Sequence, residues 1–377
     1  MHTLSTIRKI GILKASALGD FIVTIPALDA IRAKWPAAEI VLLGRTWHDA
    51  YLQQGRTPVD RVIPLPAVPG VTVDAAHAAD TAILASLYET LQAEKFDLFF
   101  NFQGNGEHTN AFARAIQPRL LAGPAFPDAN LPDYPMPYYY YQHEVVRYVE
   151  MAGVTGTEKK IVEPVLRVLP DDLPEARKLL LTVKNNRYIV FHPFSRDIRR
   201  MWPLENYIEL GQRLRAPYEV DIIITGTEEE RAAVETILPQ MQYPVINACG
   251  MLSLGGLTAL LAGASLVVAP DTGPLHLARA VQTPTVGIYW APNYIKWGPL
   301  TRSMHRPLIS WIMQCPLCGI IPNDPWPFEP RAGCEHPVSF VRDIRVEDVV
   351  GQAAALLGAG RASDNVRPAA YEVSEEG

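Results

Sequence analysis

The sequence contains little cysteine, no long apolar run and no concentration of basic residues, and each of these shortages excludes a class of protein. Four cysteines in 377 residues, with no recognisable export signal, predict a reducing, cytoplasmic environment. No stretch approaches the length of a membrane span. The net charge of -6 and the scattered lysines and arginines argue against a nucleic-acid-binding protein. Internal repeats and low-complexity tracts are also absent from the sequence.

The bulk composition is that of an ordinary soluble globular protein. Apolar residues make up 48% of the chain and charged residues 20%. A length of 377 residues exceeds what one compact core usually holds. We therefore expect two domains.

The most informative stretch is the turn that follows residues 265–270. This apolar run predicts a buried strand, because it is too short and too rich in β-branched residues for a helix. After Asp271, apolar residues recur at helical spacing, with Thr272 as the candidate N-cap, and a strand at 285–289 completes a βαβ unit. Such a turn presents backbone N–H groups and the positive end of a helix dipole to a phosphate or pyrophosphate. The alternative is that the turn only caps a helix.

The N-terminal half begins with a similar unit. Residues 7–15 predict a strand, 21–35 a helix and 38–44 a second strand. Asp20 ends the loop after the first strand, where catalytic groups of open parallel sheets collect, so its carboxylate is a candidate general base. The alternative is that Asp20 stabilises the start of the helix. The same alternation continues with predicted strands at 61–65 and 96–102 and predicted helices at 79–94 and 106–116.

The second half repeats the alternation. The loop 192–203 contains Ser195 and three arginines, among them Arg200, and guanidinium groups match phosphate oxygens. The alternative is a solvated basic loop. Glu228 to Glu230 fall in the first turn of a predicted helix, where the helix dipole explains them, although one could accept bonds from ribose hydroxyls. Strands are predicted at 187–192, 219–225 and 245–249, and helices up to 215, at 228–238 and at 252–264.

Residues 124–141 are rich in proline and tyrosine, which predicts a long ordered loop rather than the interior of an element. Its tyrosines, Tyr139 and Tyr140 among them, could stack on sugar rings or line an acceptor site. Packing that holds the loop in place is the alternative. A helix at 141–153 and a link between the halves at 159–174 are expected to follow.

The cysteines raise the question of a metal. Cys315, Cys318, Cys334 and His336 could ligate zinc tetrahedrally. One CxxC pair is a weak signal, and the second pair is irregularly spaced. Unpaired thiols or a labile disulfide are the alternatives.

Two stretches resemble the motifs of a known family. ILKASALGD at residues 12–20 is similar to the opening motif of glycosyltransferase family 9, the heptosyltransferase-like enzymes of the GT-B fold. DTGPLHLA at 271–278, followed by TPTVG at 283–287, is similar to the family's strongest motif. The resemblance extends to about residue 357 and is loose between residues 60 and 185.

The resemblance implies a role for several residues. Asp20 would be the general base, and Arg200, which stands where the family usually has lysine, would stabilise the leaving diphosphate. Ser195 would contact that diphosphate, and Glu228 or a neighbouring glutamate would contact the nucleoside. The donor nucleotide would bind at four residues of the turn, namely Asp271, Thr272, Gly273 and His276.

The resemblance also implies an activity and an architecture. The fold would be α/β, with two Rossmann-like doubly wound parallel-sheet domains facing across a cleft. Residues 1–170 would bind the acceptor and residues 186–357 the nucleotide-sugar donor. Beyond the resemblance, the small, polar and finally acidic composition of residues 358–377 predicts a disordered tail. The enzyme would transfer a sugar, most often a heptose, from an ADP-sugar to a glycan or glycolipid such as the lipopolysaccharide core, with inversion and without a required cofactor or metal.

Two rival functions and a location complete the expectations. A sugar-nucleotide epimerase or hydrolase of the same architecture would act on the donor without an acceptor. A non-catalytic nucleotide-sugar-binding module would have no need of a base such as Asp20. The expected location is cytoplasmic, with at most transient contact at the inner face of the membrane.

Overall fold

The computed structural model describes residues 7–52, 55–77, 80–126, 130–158, 162–185, 187–322 and 334–362. Its framework is two parallel six-stranded sheets, one in each half of the chain. Within the described ranges, no helix combines the length and the apolar character needed to span a bilayer.

The first sheet has the strand order β3-β2-β1-β4-β5-β6. Four of the five residues of the first strand are buried, and all four residues of the fourth strand are, because helices cover both faces of a parallel sheet. The strands are β1 (Lys9–Leu13), β2 (Glu39–Gly44), β3 (Arg61–Pro64), β4 (Leu98–Asn101), β5 (Leu121–Pro124) and β6 (Tyr134–Met136).

The second sheet repeats this topology, with the order β12-β11-β10-β7-β8-β9. In each half the first and fourth strands therefore lie side by side, and the chain leaves them in opposite directions. Such a switch point leaves a crevice at the carboxyl ends of the strands. The strands are β7 (Tyr188–Phe191), β8 (Asp221–Ile224), β9 (Val245–Asn247), β10 (Leu266–Pro270), β11 (Thr285–Trp290) and β12 (His305–Ser310).

Helices alternate with the strands in both halves. In the first half they are α1 (Leu18–Ile22), α2 (Ile25–Lys34), α3 (Thr46–Tyr51), α4 (Thr81–Ala93), α5 (Thr109–Ala115) and α6 (Glu144–Gly153). The remaining helices are α7 (Leu173–Leu180), α8 (Leu204–Tyr218), α9 (Arg231–Ile237), α10 (Leu254–Gly263), α11 (Gly273–Ala280), α12 (Ala291–Trp297) and α13 (Val346–Ala362). Three single turns of 3₁₀ helix occupy Pro170–Asp172, Ile198–Arg200 and Leu238–Gln240.

Several sequence-based boundaries were wrong. The helix expected at 21–35 is two helices, because the Thr24 hydroxyl bonds the Phe21 carbonyl and Pro26 begins a new first turn. Asp20 consequently lies inside α1 rather than at the end of a loop. The glutamates 228–230 precede α9 instead of forming its first turn.

The prolines at 124–141 also misled the prediction. This stretch holds the edge strand β6, in which Pro135 is tolerated because an edge strand leaves one side unpaired. Helix α13 extends to Ala362, so the first residues of the expected disordered tail are helical. The remainder of that tail, residues 363–377, lies outside the described residues, as do residues 159–161 of the expected link.

The two halves contact each other closely at α1 and α11. A Cβ atom placed on Gly19 would lie 2.7 Å from Cδ2 of His276, and one on Gly273 would lie 3.3 Å from the Leu18 side chain. Glycine at position 19 therefore permits a contact between helices that a larger residue would obstruct. As a result, Asp20 of the first half lies beside the Asp271 turn of the second.

Candidate functional site

A cleft of about 590 Å³ lies between the halves, at the carboxyl edges of both sheets. Its lining combines Asp20 with residues that follow β7, β10 and β11. From the first half come Ala17, Leu18, Gly19, Asp20, Tyr140 and Tyr141; from the second come His192, Phe194, Ser195, Arg196, Asp197, Arg200, Thr227, Glu230, Asp271, Thr272, Gly273, Pro274, His276, Pro292, Asn293, Lys296 and Trp297.

Asp20 enters the cleft from α1, and its side chain is partly exposed. Behind it, the buried Lys14 donates to the Tyr148 hydroxyl at 2.7 Å. Burial lowers the pKa of Lys14, and the nearby carboxylates of Asp20 and Glu144 act in the opposite direction. A carboxylate that opens onto the cleft can accept a proton from a bound hydroxyl.

The Asp271 carboxylate is engaged by other side chains of the protein. Its buried carboxylate is held by three side chains: His276 Nε2 at 3.1 Å, Asn293 Nδ2 at 2.8 Å and Arg200 Nη1 at 3.3 Å. Burial alone would raise the pKa of this carboxyl, but the His276 hydrogen bond and the His276 and Arg200 charges hold the pKa below its usual value. The Asp271 side chain therefore orients its neighbours, while the rest of the turn faces the cleft.

The start of α11 presents fewer amides than the sequence suggested. Thr272 occupies the N-cap, but its side chain makes no capping hydrogen bond. The N–H groups of Leu275 and His276 both donate to the Thr272 carbonyl, at 3.1 and 3.2 Å, and Pro274 has no N–H. Among the described residues, the amides of Thr272 and Gly273 thus have no internal acceptor. These two amides and the Thr272 side chain are the groups left to meet a ligand.

Arg200 reaches the cleft from the 3₁₀ turn at Ile198–Arg200. Its Nη1 donates to the Asp271 carbonyl at 3.1 Å as well as to the Asp271 carboxylate. Its Nε is buried and finds no acceptor within the described part of the chain. A guanidinium that is anchored at one corner and has spare donors at another can bind an anion in the cleft.

The rest of the loop 192–203 is organised by its own side chains. Asp197 binds Arg199 with two hydrogen bonds of 2.7 and 2.8 Å and accepts from the Arg199 amide, which leaves Arg200 as the arginine that contacts Asp271. Ser195 lies in the cleft wall. His192, which the sequence marked only as the end of a strand, also lines the cleft, and burial lowers its pKa to about 4.

The three glutamates separate in space. Glu230 lines the cleft, and its carboxylate accepts from the Thr227 amide at 2.7 Å. Glu228, which the sequence-based assignment named together with its neighbours, is exposed beside the cleft and pairs with Arg231 at 2.8 Å. The structure thus brings Glu230, and not Glu228, into the cleft wall.

The tyrosine run divides in the same way. Tyr140 and Tyr141 line the cleft, whereas Tyr139 is 64% exposed outside it and its carbonyl accepts from Arg147. Lys296 lies 4.7 Å from the centre of the Tyr140 ring. Sequence reasoning missed Lys296 and its neighbour Asn293, which lie on α12; a helix directly after the carboxyl end of β11 was the signal available.

The three cysteines and the histidine lie together outside the cleft lining, next to residues 196–199 of the Arg200 loop. The ligand atoms of Cys315, Cys318, Cys334 and His336 are all within 4.8 Å of one another. Such a set of three thiols and one imidazole can hold a metal ion.

Comparisons with known proteins agree with this geometry. A model of glycosyltransferase family 9 (heptosyltransferase) matches residues 84–315, more than half of the chain. The match contains the Asp271 turn and begins after Asp20. Lipopolysaccharide heptosyltransferase 1 of Escherichia coli K12 is 29% identical over 311 residues, which are 74% of this chain and 86% of that protein. Lipopolysaccharide heptosyltransferase 3 of E. coli is 25% identical over 303 residues, 76% of this chain and 84% of that protein.

Solved structures agree on the fold. E. coli ADP-heptose lps heptosyltransferase II matches with a TM-score of 0.70 at 18% identity, covering 94% of this chain and 99% of that one. E. coli heptosyltransferase WaaC with ADP-2-deoxy-2-fluoro heptose matches with a TM-score of 0.60 at 22% identity, covering 80% of this chain and 92% of that one. The GT-B architecture expected from the sequence is confirmed.

Proposed function

The chain belongs to glycosyltransferase family 9, the heptosyltransferase family, and from that premise we propose that it transfers a heptose from ADP-heptose to a hydroxyl of a lipopolysaccharide core acceptor. One observation carries the proposal. A partly exposed carboxylate, Asp20, faces an anion-binding group formed by Arg200 and the Thr272–Gly273 turn across one cleft. An inverting glycosyl transfer requires a base for the acceptor hydroxyl and a group that binds the leaving diphosphate.

The donor would bind through its diphosphate. Arg200 and the Gly273 amide supply donors for the phosphate oxygens, and the hydroxyls of Thr272 and Ser195 lie in the same wall. Glu230 is the carboxylate placed to accept from the ribose hydroxyls of the nucleoside. The names of the relatives, which specify heptosyltransferases, and the solved complex with an ADP-heptose analogue support ADP-heptose as the donor.

The transfer would proceed in one displacement. Asp20 takes the proton of the acceptor hydroxyl as that oxygen bonds the anomeric carbon from the face opposite the diphosphate. The bond from the anomeric carbon to the diphosphate oxygen breaks, its electron pair leaves with ADP, and the configuration inverts. Arg200 and the Gly273 amide stabilise the charge that develops on the leaving oxygen, so no dissociable metal ion is needed for this step.

The acceptor would lie on the side of the first half. Tyr140 and Tyr141 offer aromatic faces to a sugar, and Lys296, which pairs with Glu144 at 3.5 Å, supports the Tyr140 ring in the same wall. We assign acceptor binding to residues 1–170 and donor binding to residues 186–357. The enzyme would work in the cytoplasm and meet its acceptor transiently at the inner face of the membrane.

Calorimetric titration with ADP, ADP-heptose, UDP-sugars and GDP-sugars, without added metal, tests the donor assignment. Selective binding of ADP and ADP-heptose is expected. Selective binding of another nucleotide sugar would retain the mechanism and discard the heptose, and no binding of any nucleotide would overturn the proposal. A parallel assay with a heptose-deficient core acceptor separates transfer from the rivals, since an epimerase or hydrolase would consume the donor without acceptor and a binding module would not consume it.

A further inference from the structure

We propose that Cys315, Cys318, Cys334 and His336 bind one thiolate-preferring divalent transition-metal ion, zinc or iron, and that this ion holds the loop that carries Arg200 in position. The ion would be structural and separate from the chemistry of transfer. The role of the loop rests on the proposed function in one respect, namely that Arg200 contacts the donor diphosphate.

The distances between the four side chains are those of a tetrahedral site. The Sγ atoms of Cys318 and Cys334 are 3.7 Å apart. His336 Nδ1 lies 3.6 Å from the Sγ atoms of both Cys315 and Cys334. Zinc–sulfur bonds of about 2.3 Å and zinc–nitrogen bonds of about 2.05 Å at tetrahedral angles place two sulfurs about 3.8 Å apart and a sulfur and a nitrogen about 3.6 Å apart. A disulfide needs a separation of about 2.05 Å, so the sulfurs are not paired as cystine.

The backbone at Cys315 is shaped to bring two thiols to one point. The Cys315 amide donates to the Ile320 carbonyl, and the Gly319 amide donates to the Cys315 carbonyl, both at 2.8 Å. Gly319 has φ +73°, a conformation that favours glycine. This tight turn presents the thiols of Cys315 and Cys318 on one side, where Cys334 and His336 complete the set. Four protein ligands fill a tetrahedral shell, which is typical of a structural site rather than a catalytic one.

The segment after His336 holds the Arg200 loop by its backbone. The Phe340 amide donates to the Arg199 carbonyl at 2.8 Å, and the Ser339 hydroxyl donates to the Met201 carbonyl at 2.6 Å. These two carbonyls flank Arg200. The Phe340 ring also packs against Trp290 at the end of β11, with ring centres 4.6 Å apart, so the segment is anchored to the second sheet as well.

A bound ion would therefore connect two parts of the chain that converge beside the cleft. It would join the turn at 315–319, which follows β12, to Cys334 and His336, which precede the hydrogen bonds to the Arg200 loop. Cys318 is exposed, and within the described residues few contacts other than the approach of the two sulfur atoms join it to Cys334. Loss of the ion would remove the constraint on Cys334 and His336 and leave the Phe340–Trp290 packing as the remaining anchor, so the segment 334–340 and, with it, the position of the guanidinium at the donor site would loosen.

Elemental analysis of the full chain, purified under reducing conditions, tests the metal itself. One ion per chain is expected, and the element found decides between zinc and iron. The variant Cys318→Ser removes an exposed ligand and should lose the ion, whereas Cys249→Ala removes the one cysteine outside the cluster and should retain it. Metal-free protein that also fails to take up either ion on reconstitution under reducing conditions would overturn the proposal.

Amide hydrogen exchange tests the role of the ion without reference to activity. Removal of the ion by a chelator, or by Cys318→Ser, should accelerate exchange at Phe340 and through residues 198–201, and readdition should reverse the change in the chelated wild type. The exchange rates of the first sheet serve as the internal control for unfolding. Unchanged exchange at Phe340 in protein that has lost its ion would overturn the positioning role.

ADP titration distinguishes a failure of this inference from a failure of the proposed function. Arg200→Ala should weaken ADP binding about 10- to 100-fold in the metal-bound protein and distinctly less in the Cys318→Ser background. If the ion controls the exchange at residues 198–201 but Arg200→Ala leaves ADP binding unchanged in both, the donor role of Arg200 is wrong and the metal site stands. If Arg200→Ala weakens ADP binding equally in the metal-bound protein and in the Cys318→Ser background, the coupling through the metal is wrong and the donor role stands.

Discussion

At the scale of single residues, the site depends on one carboxylate that faces solvent and one that does not. Asp20 is partly exposed in the cleft, whereas Asp271 is buried under three hydrogen-bond donors. The first can exchange a proton with a bound hydroxyl, and the second is committed to positioning His276, Asn293 and Arg200. The two aspartates of the family motifs therefore have different physical tasks.

Asp20→Asn should abolish most of the transfer while leaving the donor bound. Asparagine retains the shape of the side chain but cannot take the proton, so kcat is expected to fall about 10²- to 10⁴-fold. The Kd for ADP should change less than about twofold, because the proposed role of Asp20 is toward the acceptor hydroxyl and not toward the diphosphate. Steady-state kinetics and calorimetry measure the two quantities. Asp49→Asn, an exposed aspartate on α3, is the matched control, and near-normal turnover of Asp20→Asn would remove Asp20 from the role of base.

Arg200→Ala should weaken both ground-state and transition-state binding of the donor. A charge-assisted hydrogen bond contributes about 1.5–3 kcal/mol, so ADP affinity and kcat/KM should each fall at least about tenfold. Arg213→Ala, on the exposed face of α8, is expected to leave both unchanged. An effect limited to the KM of the acceptor would move Arg200 to another part of the cleft.

Asp271 should make the stability of the protein dependent on acid pH. The pKa of Asp271 is lower in the folded protein than in the unfolded chain. Its contribution to the free energy of unfolding is therefore fully present above the unfolded-chain pKa of about 3.9 and is lost as the pH falls through the lower folded-state pKa. Urea unfolding from pH 7 to 2.5 measures this. Asp271→Asn should be less stable than the wild type by about 2 kcal/mol at pH 7, with a gap that narrows below about pH 4. A gap that stays constant over this range would contradict the assignment.

At the scale of elements, the contact between α1 and α11 determines where Asp20 lies. Gly19 approaches the His276 ring so closely that no side chain fits between them. The five-residue α1 exists as a separate helix because the helical hydrogen bonding is interrupted at Thr24, and α2 then begins at Ile25 with Pro26 in its first turn. The short helix can therefore be placed by its contact with α11 rather than by continuity with α2.

Gly19→Ala should disturb both stability and catalysis. The added Cβ would meet Cδ2 of His276 at 2.7 Å, so α1 must move away from α11 or His276 must leave Asp271. Overpacking of this kind costs about 1–3 kcal/mol, and the displacement of Asp20 should lower kcat more than it lowers ADP affinity. Thermal unfolding and kinetics test this against Gly351→Ala in α13, where the new Cβ has open space. A Gly19→Ala enzyme with normal kcat and normal unfolding would show that the contact is not needed.

At the scale of the whole molecule, a buried ion pair helps to hold the two halves together. Arg56 binds Asp172 with two hydrogen bonds of 2.7 Å, and both side chains are almost fully buried. Next to this pair, the Tyr51 hydroxyl bonds the hydroxyl of Thr258 on α10 at 2.7 Å. The first sheet is thus joined to the second through the segment that precedes α7.

Removing the charge of one partner should reduce the free energy of unfolding far more than replacing both partners. Asp172→Asn leaves the Arg56 charge buried without a counter-charge and should reduce the free energy of unfolding by about 3–5 kcal/mol. The double variant Arg56→Met/Asp172→Leu should recover most of that loss, because an apolar pair of similar volume needs no desolvation of charge. Urea unfolding at pH 7 measures both variants. A single variant that loses less than about 1 kcal/mol would show that the pair is solvated in solution.

The sequence by itself determined the architecture. The strands β1, β2, β7, β8, β10 and β11 were legible because strands of a parallel sheet are buried on both faces and form continuous apolar runs. Their alternation with helices implied two doubly wound halves, and the turns after β1 and β10 located Asp20 and Asp271. The sequence did not predict short edge strands such as β6. Their stability comes from pairing with a neighbouring strand, so their own residues show little periodic pattern.

Only the tertiary structure decided which side chains act together. The sequence-based assignment named Glu228, Tyr139 and Tyr140, and of these only Tyr140 lines the cleft. The fold adds Glu230, Tyr141 and Lys296, because neighbouring residues of a turn point their side chains in different directions. The inward orientation of Asp271 and the meeting of Cys315 and Cys318 with Cys334 and His336 depend in the same way on contacts between segments. Local propensity acts on neighbours in the chain, while a binding site is made from residues that meet only when the sheets and helices pack.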